Sequence, residues 1–313
     1  GGRSPLGRGV RPWLPVALLG AVGSGLLAVL AALALRSSPQ APSGVPTAAS
    51  PPPAWEYRFA QGRELRYRLS TSLTGSRFLT GGSRVTQRED LTIRVRRVLP
   101  NGSAEVTLRT SRGAVSWGGR KEALPAETER ATVAPDGWIA WARARDGASL
   151  ATDLLVPGLA QLFPLLPDRV PAPREPWSVT RTLGVPLGKG TGEYRLQGRL
   201  VRFERDGPRQ LGVLETEARV SFRLRLDARE ARRVFGDVPG VADLRVTVRG
   251  ELTVEQTTWF DPERGRAVRG TAEGAFDVRI VFQGLPTGSG QRYSFPRTLW
   301  GEYRRRFEAW PRP

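Results

Sequence analysis

The chain has 313 residues and a formal net charge of +18, with no cysteine, no histidine and no methionine. Without Cys and His there is no thiol nucleophile, no imidazole base, no Ser-His-Asp triad, no Cys or His metal site and no disulfide. A domain built from such a chain holds its fold by burial, and about 260 residues after the N-terminal region are ample for one large domain.

Residues 1–12 carry Arg3, Arg8 and Arg11, and Trp13 to Leu35 follow as 23 residues without a charge. At about 1.5 Å per residue that run reaches roughly 34 Å, enough to cross a bilayer core of about 30 Å. Only Arg36 lies behind it before a long uncharged stretch. Basic residues stay on the cytoplasmic side, so the expectation is a single-pass anchor over 13–35 in the cell membrane, N-terminus inside and the remainder extracytoplasmic. The alternative is a signal peptide cleaved after Ala34, for which Ala32-Leu33-Ala34 supplies the small residues, with a secreted product. Residues 37–54 contain six prolines and no charge. They are expected to form a disordered, extended linker.

Residues 55–313 read as a β-rich extracytoplasmic domain. Leu65, Tyr67, Leu69 and Thr71 alternate with Arg66, Arg68 and Ser70, the period of a strand buried on one face and wet on the other. The rhythm returns in Leu91 to Arg96, Ala104 to Thr110, Val220 to Leu226 and Leu244 to Arg249, with arginine repeatedly the outward residue. Pro100-Asn101-Gly102, Pro135-Asp136-Gly137, Asp206-Gly207 and Asp261 to Gly265 punctuate these runs as turns. The fold class expected is mainly β: a curved antiparallel sheet, half-barrel-like, with one or two short helices over Leu150 to Leu166 in its concave side.

Phe59 to Tyr67, the Val133-Ala134-Pro135-Asp136-Gly137 turn, Leu162 to Pro167 followed by Trp177, and the Trp259-Phe260-Asp261 turn together resemble a family of uncharacterised bacterial exported proteins. Those proteins in turn resemble the lipoprotein-carrier (LolA-like) half-barrels. The resemblance implies a curved sheet around short helices with an apolar hollow, and it transfers no catalytic residue. Many such relatives are lipid-modified at a cysteine, and this chain has none.

Trp138, Trp141, Leu155, Leu159, Phe163, Trp177 and Trp259 are the candidates for lining an apolar pocket, with plain core packing as the alternative. Arg304, Arg305 and Arg306, next to Tyr303, Phe307 and Trp310, are the candidates for contact with an anionic surface; a final edge strand is the alternative. Glu215 and Glu217 have the i, i+2 spacing of a carboxylate pair, but a solvated strand face opposite arginines explains them better. Nothing points to a catalytic residue, cofactor or metal. The basic balance fits lipid headgroups or an anionic envelope polymer, or simply the arginine-rich usage of a GC-rich genome. Nucleic acid is the least expected of these partners, given the expected topology and the lack of a recognition motif. The expected function is a non-catalytic membrane-anchored binding module for a lipid or other apolar or anionic envelope component. The alternatives are an assembly protein that binds another envelope protein through a sheet face or edge, and then a carboxylate-based hydrolase.

Overall fold

The computed structural model describes residues 55–75, 84–124, 126, 128–141, 162–183, 189–229, 245–286 and 292–310. These form twelve strands: β1 (Glu64–Gly75), β2 (Val85–Val98), β3 (Ala104–Trp117), β4 (Arg120–Ala123), β5 (Thr128–Val133), β6 (Ile139–Trp141), β7 (Pro176–Leu183), β8 (Lys189–Asp206), β9 (Arg209–Leu226), β10 (Arg245–Asp261), β11 (Arg266–Pro286) and β12 (Arg292–Ala309). The period-two pattern of the sequence is realised directly. In β1 Leu65, Tyr67, Leu69 and Thr71 are buried while Arg66, Arg68 and Ser70 are exposed.

All pairings are antiparallel, in the order β6-β5-β3-β2-β1-β12-β11-β10-β9-β8-β7, with β4 beside β3. The sheet is open, with β6 and β7 as its two ends. Its first and last strands meet in the middle: β12 lies between β1 and β11, Tyr67 opposite Ala309 and Gly75 opposite Gly301. The C-terminal stretch is therefore a central strand and not an edge. Register shifts at Leu200/Arg202 in β8 and Trp259/Phe260 in β10 bend the sheet, as bulges do. Glycines opposite aromatic residues let strands curl closely: a Cβ on Gly270 would come within 2.4 Å of the Phe307 ring, and one on Gly274 within 2.4 Å of Tyr303.

Residues 55–60 run across one end of the curled sheet, beside the β5–β6 and β10–β11 turns. Tyr57 N donates to Pro135 O at 2.8 Å and Arg58 N to Gly265 O at 3.0 Å. The Trp55 ring stacks on Phe260 at 5.7 Å, and Tyr57 meets Phe260 at 5.4 Å and Phe163 at 5.0 Å.

The helix expected over Leu150 to Leu166 is absent from its described part. Residues 150–161 lie outside the described residues, and Leu162 to Pro167 is a buried, irregular segment. Pro164 and Pro167 explain this, since each lacks an N–H donor and drives the residue before it away from helical angles. The segment's backbone is bonded to its neighbours instead. Tyr57 Oη donates to Pro164 O at 3.1 Å, Leu166 N to Asp136 O at 2.9 Å and Trp177 Nε1 to Leu165 O at 3.3 Å. These bonds join the β5–β6 turn to β7, the strands at opposite ends of the sheet order. Arg181 pairs with Asp136 across the same seam at 3.0 Å, and Trp138 meets Tyr194 edge-on at 6.0 Å. The expected anchor 13–35 and linker 37–54 lie outside the described residues. Among the described residues no helix is long and apolar enough to cross a membrane.

Burial of tyrosines makes this core sensitive to alkali. Tyr67 Oη donates to Ala267 O at 3.0 Å, and loss of solvation, only partly offset by Arg266 and Arg63, pushes its pKa up to about 12. Burial likewise raises Tyr57 and Tyr194. Their folded pKa values exceed those of the unfolded chain, so the stabilisation is complete below about pH 10 and drains away as pH rises towards 12. Phenolate absorbance is expected to show Tyr57, Tyr67 and Tyr194 silent until the fold is lost. Ionisation of all five tyrosines near pH 10 with circular dichroism unchanged would contradict it.

Candidate functional site

Of the seven residues expected in an apolar pocket, the structure gathers three at the seam. Phe163 is buried against Tyr57 and Phe59. Trp177 is packed against the same core, its ring lying where a Cβ on Gly198 would come within 2.4 Å. Trp138 rests on Tyr194. Phe163 and Trp177 thus belong to the packed core at this end of the fold. Trp141 is paired with Ala131 in β6, and Leu155 and Leu159 lie outside the described residues.

Trp259 is on the opposite face. Phe260 takes the inward position, so its predecessor points outward, where Trp259 Nε1 donates to Glu204 Oε2 at 3.1 Å under the Arg269 guanidinium, 4.6 Å from the ring. The indole N–H first, then the Arg269 and Arg202 guanidiniums, hold the Glu204 carboxyl below its usual range.

Strand alternation also divides the arginine triplet. Arg304 and Arg306 are exposed on the outer face, and Arg304 pairs with Glu273 at 3.1 Å. Arg305 points inward, is 3% exposed, and donates from Nε to Thr71 Oγ1 at 3.0 Å. The three do not share a surface. Glu215 and Glu217 do share one, but each is engaged by an arginine: Arg199 Nε donates to Glu215 at 2.9 Å and Arg219 Nη2 to Glu217 at 2.7 Å. Among the described residues no group of three or more His, Cys, Asp or Glu is placed to hold a metal ion.

The register of β8 to β12 builds a different site, on the outer face. Arg223, Arg249 and Arg279 stand directly opposite one another on β9, β10 and β11, with Thr191 and Thr298 at the two ends of the row. Two residues along the same strands a second row runs Glu193, Ser221, Glu251, Asp277 and Trp300. Strands lie about 4.8 Å apart, so the three arginines span roughly 10 Å, and the two rows are separated by about 7 Å. Between them lies an open groove of about 840 Å³, with Gly192 and Gly250 of the intervening row in its lining. One wall is cationic and the other anionic.

Several arginines elsewhere on this face are in ion pairs. Arg195 pairs with Glu193, Arg199 with Glu215, Arg219 with Glu217 and Arg304 with Glu273. Arg223, Arg249 and Arg279 form no ion pair with a described residue, although Glu251 and Asp277 sit two positions away on their own strands. Like charges directly opposite in a sheet are destabilising, so the row runs against the interest of the fold. Such a conflict makes the row a candidate site.

Sequence reasoning missed these residues because alternation places Arg223, Arg249 and Arg279 outward without saying what stands beside them. Register decides that, and a shift of two residues in one strand would set an arginine against an acid. The signal present in the sequence is the repeat of acid or serine, apolar or glycine, then arginine: Ser221-Phe222-Arg223 and Asp277-Val278-Arg279, mirrored by Arg249-Gly250-Glu251 on the antiparallel strand between them.

These features define an open, curled antiparallel sheet domain with a charged groove across the outer face of its second half. No protein-family model matches the chain, and no curated protein matches it.

Proposed function

We propose that the protein is a non-catalytic binding module of the cell envelope, held at the membrane by residues 13–35, that takes an anionic ligand on the outer face of its sheet. The observation that carries this reading is the row Arg223, Arg249 and Arg279, three guanidiniums side by side, none in an ion pair with a described residue. Each presents a planar fork of donors suited to carboxylate, phosphate or sulfate. Their mutual repulsion is relieved when an anion binds, so affinity is drawn from a strain already present in the free protein. The tether and the N-terminal anchor set this face on the outer side of the membrane. The absence of Cys and His from the whole sequence supports binding over catalysis.

The test uses the full-length chain in a non-ionic detergent with inorganic polyphosphate as probe. Replacing Arg223, Arg249 and Arg279 together by Thr is expected to weaken binding at least tenfold at low ionic strength, with the difference shrinking as salt is added. Replacing Arg88, Arg94 and Arg96 on β2 by Thr removes the same charge elsewhere and is expected to have a far smaller effect. Equal losses from the two triples would assign binding to net charge and overturn the site. Arg249→Thr alone also removes two like-charge contacts and is expected to raise stability by roughly a few tenths of a kcal/mol, read as a higher midpoint in urea.

A further inference from the structure

We infer that the ligand of this groove is an acidic polysaccharide, lying across β8 to β12 with a sugar ring stacked on Trp300. This deepens the anion-binding reading and rests on it. The groove's second wall carries the distinction. Glu251 and Asp277 face each other directly, and neither forms an ion pair with a described residue. A bare polyanion on the arginine row feels their repulsion at about 7 Å. A ligand that satisfies both walls carries anionic groups along one side and hydrogen-bond donors along the other. An acidic sugar has this form, since its carboxylate or sulfate accepts from arginine while its ring hydroxyls donate to carboxylates.

Trp300 gives the second, independent sign. It lies directly opposite Asp277 at the end of the acidic row, just beyond the residues that line the groove, on a central strand, and it is 52% exposed. A tryptophan so exposed forgoes the burial its ring would otherwise gain. Beside the Asp277 carboxylate, its exposed ring offers an apolar platform for the C–H face of a pyranose, which no phosphate or small carboxylate needs. Spacing agrees with a polymer. Arginines repeat at the strand interval of about 4.8 Å, close to the length of one pyranose unit, so acids on successive sugars meet successive strands. The groove is open at the surface, and a chain passing through it requires no free end.

The test titrates the full-length chain in non-ionic detergent with oligogalacturonate by calorimetry, in parallel with inorganic polyphosphate and phosphatidylglycerol vesicles. Trp300→Ala is expected to weaken oligogalacturonate about tenfold and to leave polyphosphate unchanged. Trp310→Ala, which removes a comparably exposed ring away from both rows, is expected to change neither. Glu251→Gln with Asp277→Asn is expected to move the two probes in opposite directions: polyphosphate tighter, because repulsion is removed, and oligogalacturonate weaker, because acceptors are lost. If the Trp300 variant binds oligogalacturonate as well as the parent, or both probes tighten in the Gln/Asn variant, the polysaccharide assignment is overturned while the anion site stands. Vesicle binding that depends on the arginine row, with no oligogalacturonate binding, overturns it in favour of a lipid headgroup. Polyphosphate binding unaffected by loss of the three arginines removes the anion site and the polysaccharide with it.

Discussion

Phe260→Ala is expected to lower the unfolding free energy by about 3–5 kcal/mol, the range for truncating a fully buried aromatic residue. Phe260 is 0% exposed, and its ring joins two parts of the chain that are distant in sequence. Trp55 stacks on it and Tyr57 meets it edge-on, so the strip 55–60 is seated on the end of β10. The vacated space has little means of closing. Trp55 is pressed against Gly212, where a Cβ would approach its ring to 2.3 Å, and Tyr57 is fixed by bonds to Pro135 O and Pro164 O. Trp259→Ala, one residue earlier, is the internal comparison. It removes a larger ring from the outer face, together with the bond to Glu204 and the stacking under Arg269, contacts worth about 1–2 kcal/mol at a partly exposed site. The two variants are to be compared by urea unfolding, with the midpoint falling and the slope retained. A smaller loss from Phe260→Ala than from Trp259→Ala would mean that residues 55–60 do not belong to the folded core.

The same pair of residues shows what the sequence makes legible. Alternation assigns faces within a strand with good fidelity, because burial of Leu65, Tyr67 and Leu69 against exposure of Arg66 and Arg68 follows from backbone geometry alone. The turns at 100–102, 135–137, 206–207 and 261–265 are equally readable, since Gly, Asp, Asn and Pro carry backbone preferences of their own. What alternation does not carry is phase across a bulge or register between strands. Trp259 and Phe260 sit at a register shift, and either aromatic reads as inward from the sequence. Arg304 and Arg306 are separated from Arg305 by the same alternation, once a run of three arginines is recognised as strand and not as a basic patch. Pairing of β1 with β12, 234 residues apart at Thr71 and Arg305, has no local signal, and the arginine row of the groove depends on two registers at once, β9 with β10 and β10 with β11. The irregular segment Leu162 to Pro167 is a different case. Its apolar spacing suggests a helix, yet Pro164 and Pro167 outweigh that spacing because they remove donors that a helix must use.

Gly137→Ala is expected to destabilise the fold by about 3 kcal/mol, from two separable causes. Gly137 has φ +93° in the β5–β6 turn, a conformation that costs an L-residue about 1–2 kcal/mol. Its missing side chain is also the point of closest approach at the seam, for a Cβ would lie 2.8 Å from the Tyr57 ring and 2.9 Å from both Phe163 O and Pro164 O. Two of those neighbours are backbone atoms of the buried segment, which cannot swing aside as the end of a flexible side chain can. Gly207→Ala isolates the first cause, because Gly207 has φ +62° and a Cβ there would meet nothing within 4 Å. The excess of the Gly137 variant over the Gly207 variant, roughly 1–2 kcal/mol, therefore reports the contact between the β5–β6 turn and the segment 162–167. That contact holds the opposite ends of the sheet order together, through Leu166 N on Asp136 O, Arg181 on Asp136 and Trp138 on Tyr194. Amide exchange at Leu166 is expected to accelerate in Gly137→Ala and to be unchanged in Gly207→Ala. Equal destabilisation and equal protection in the two variants would mean that the seam stands open in solution, with the curl of the sheet maintained by its bulges and glycine–aromatic contacts alone.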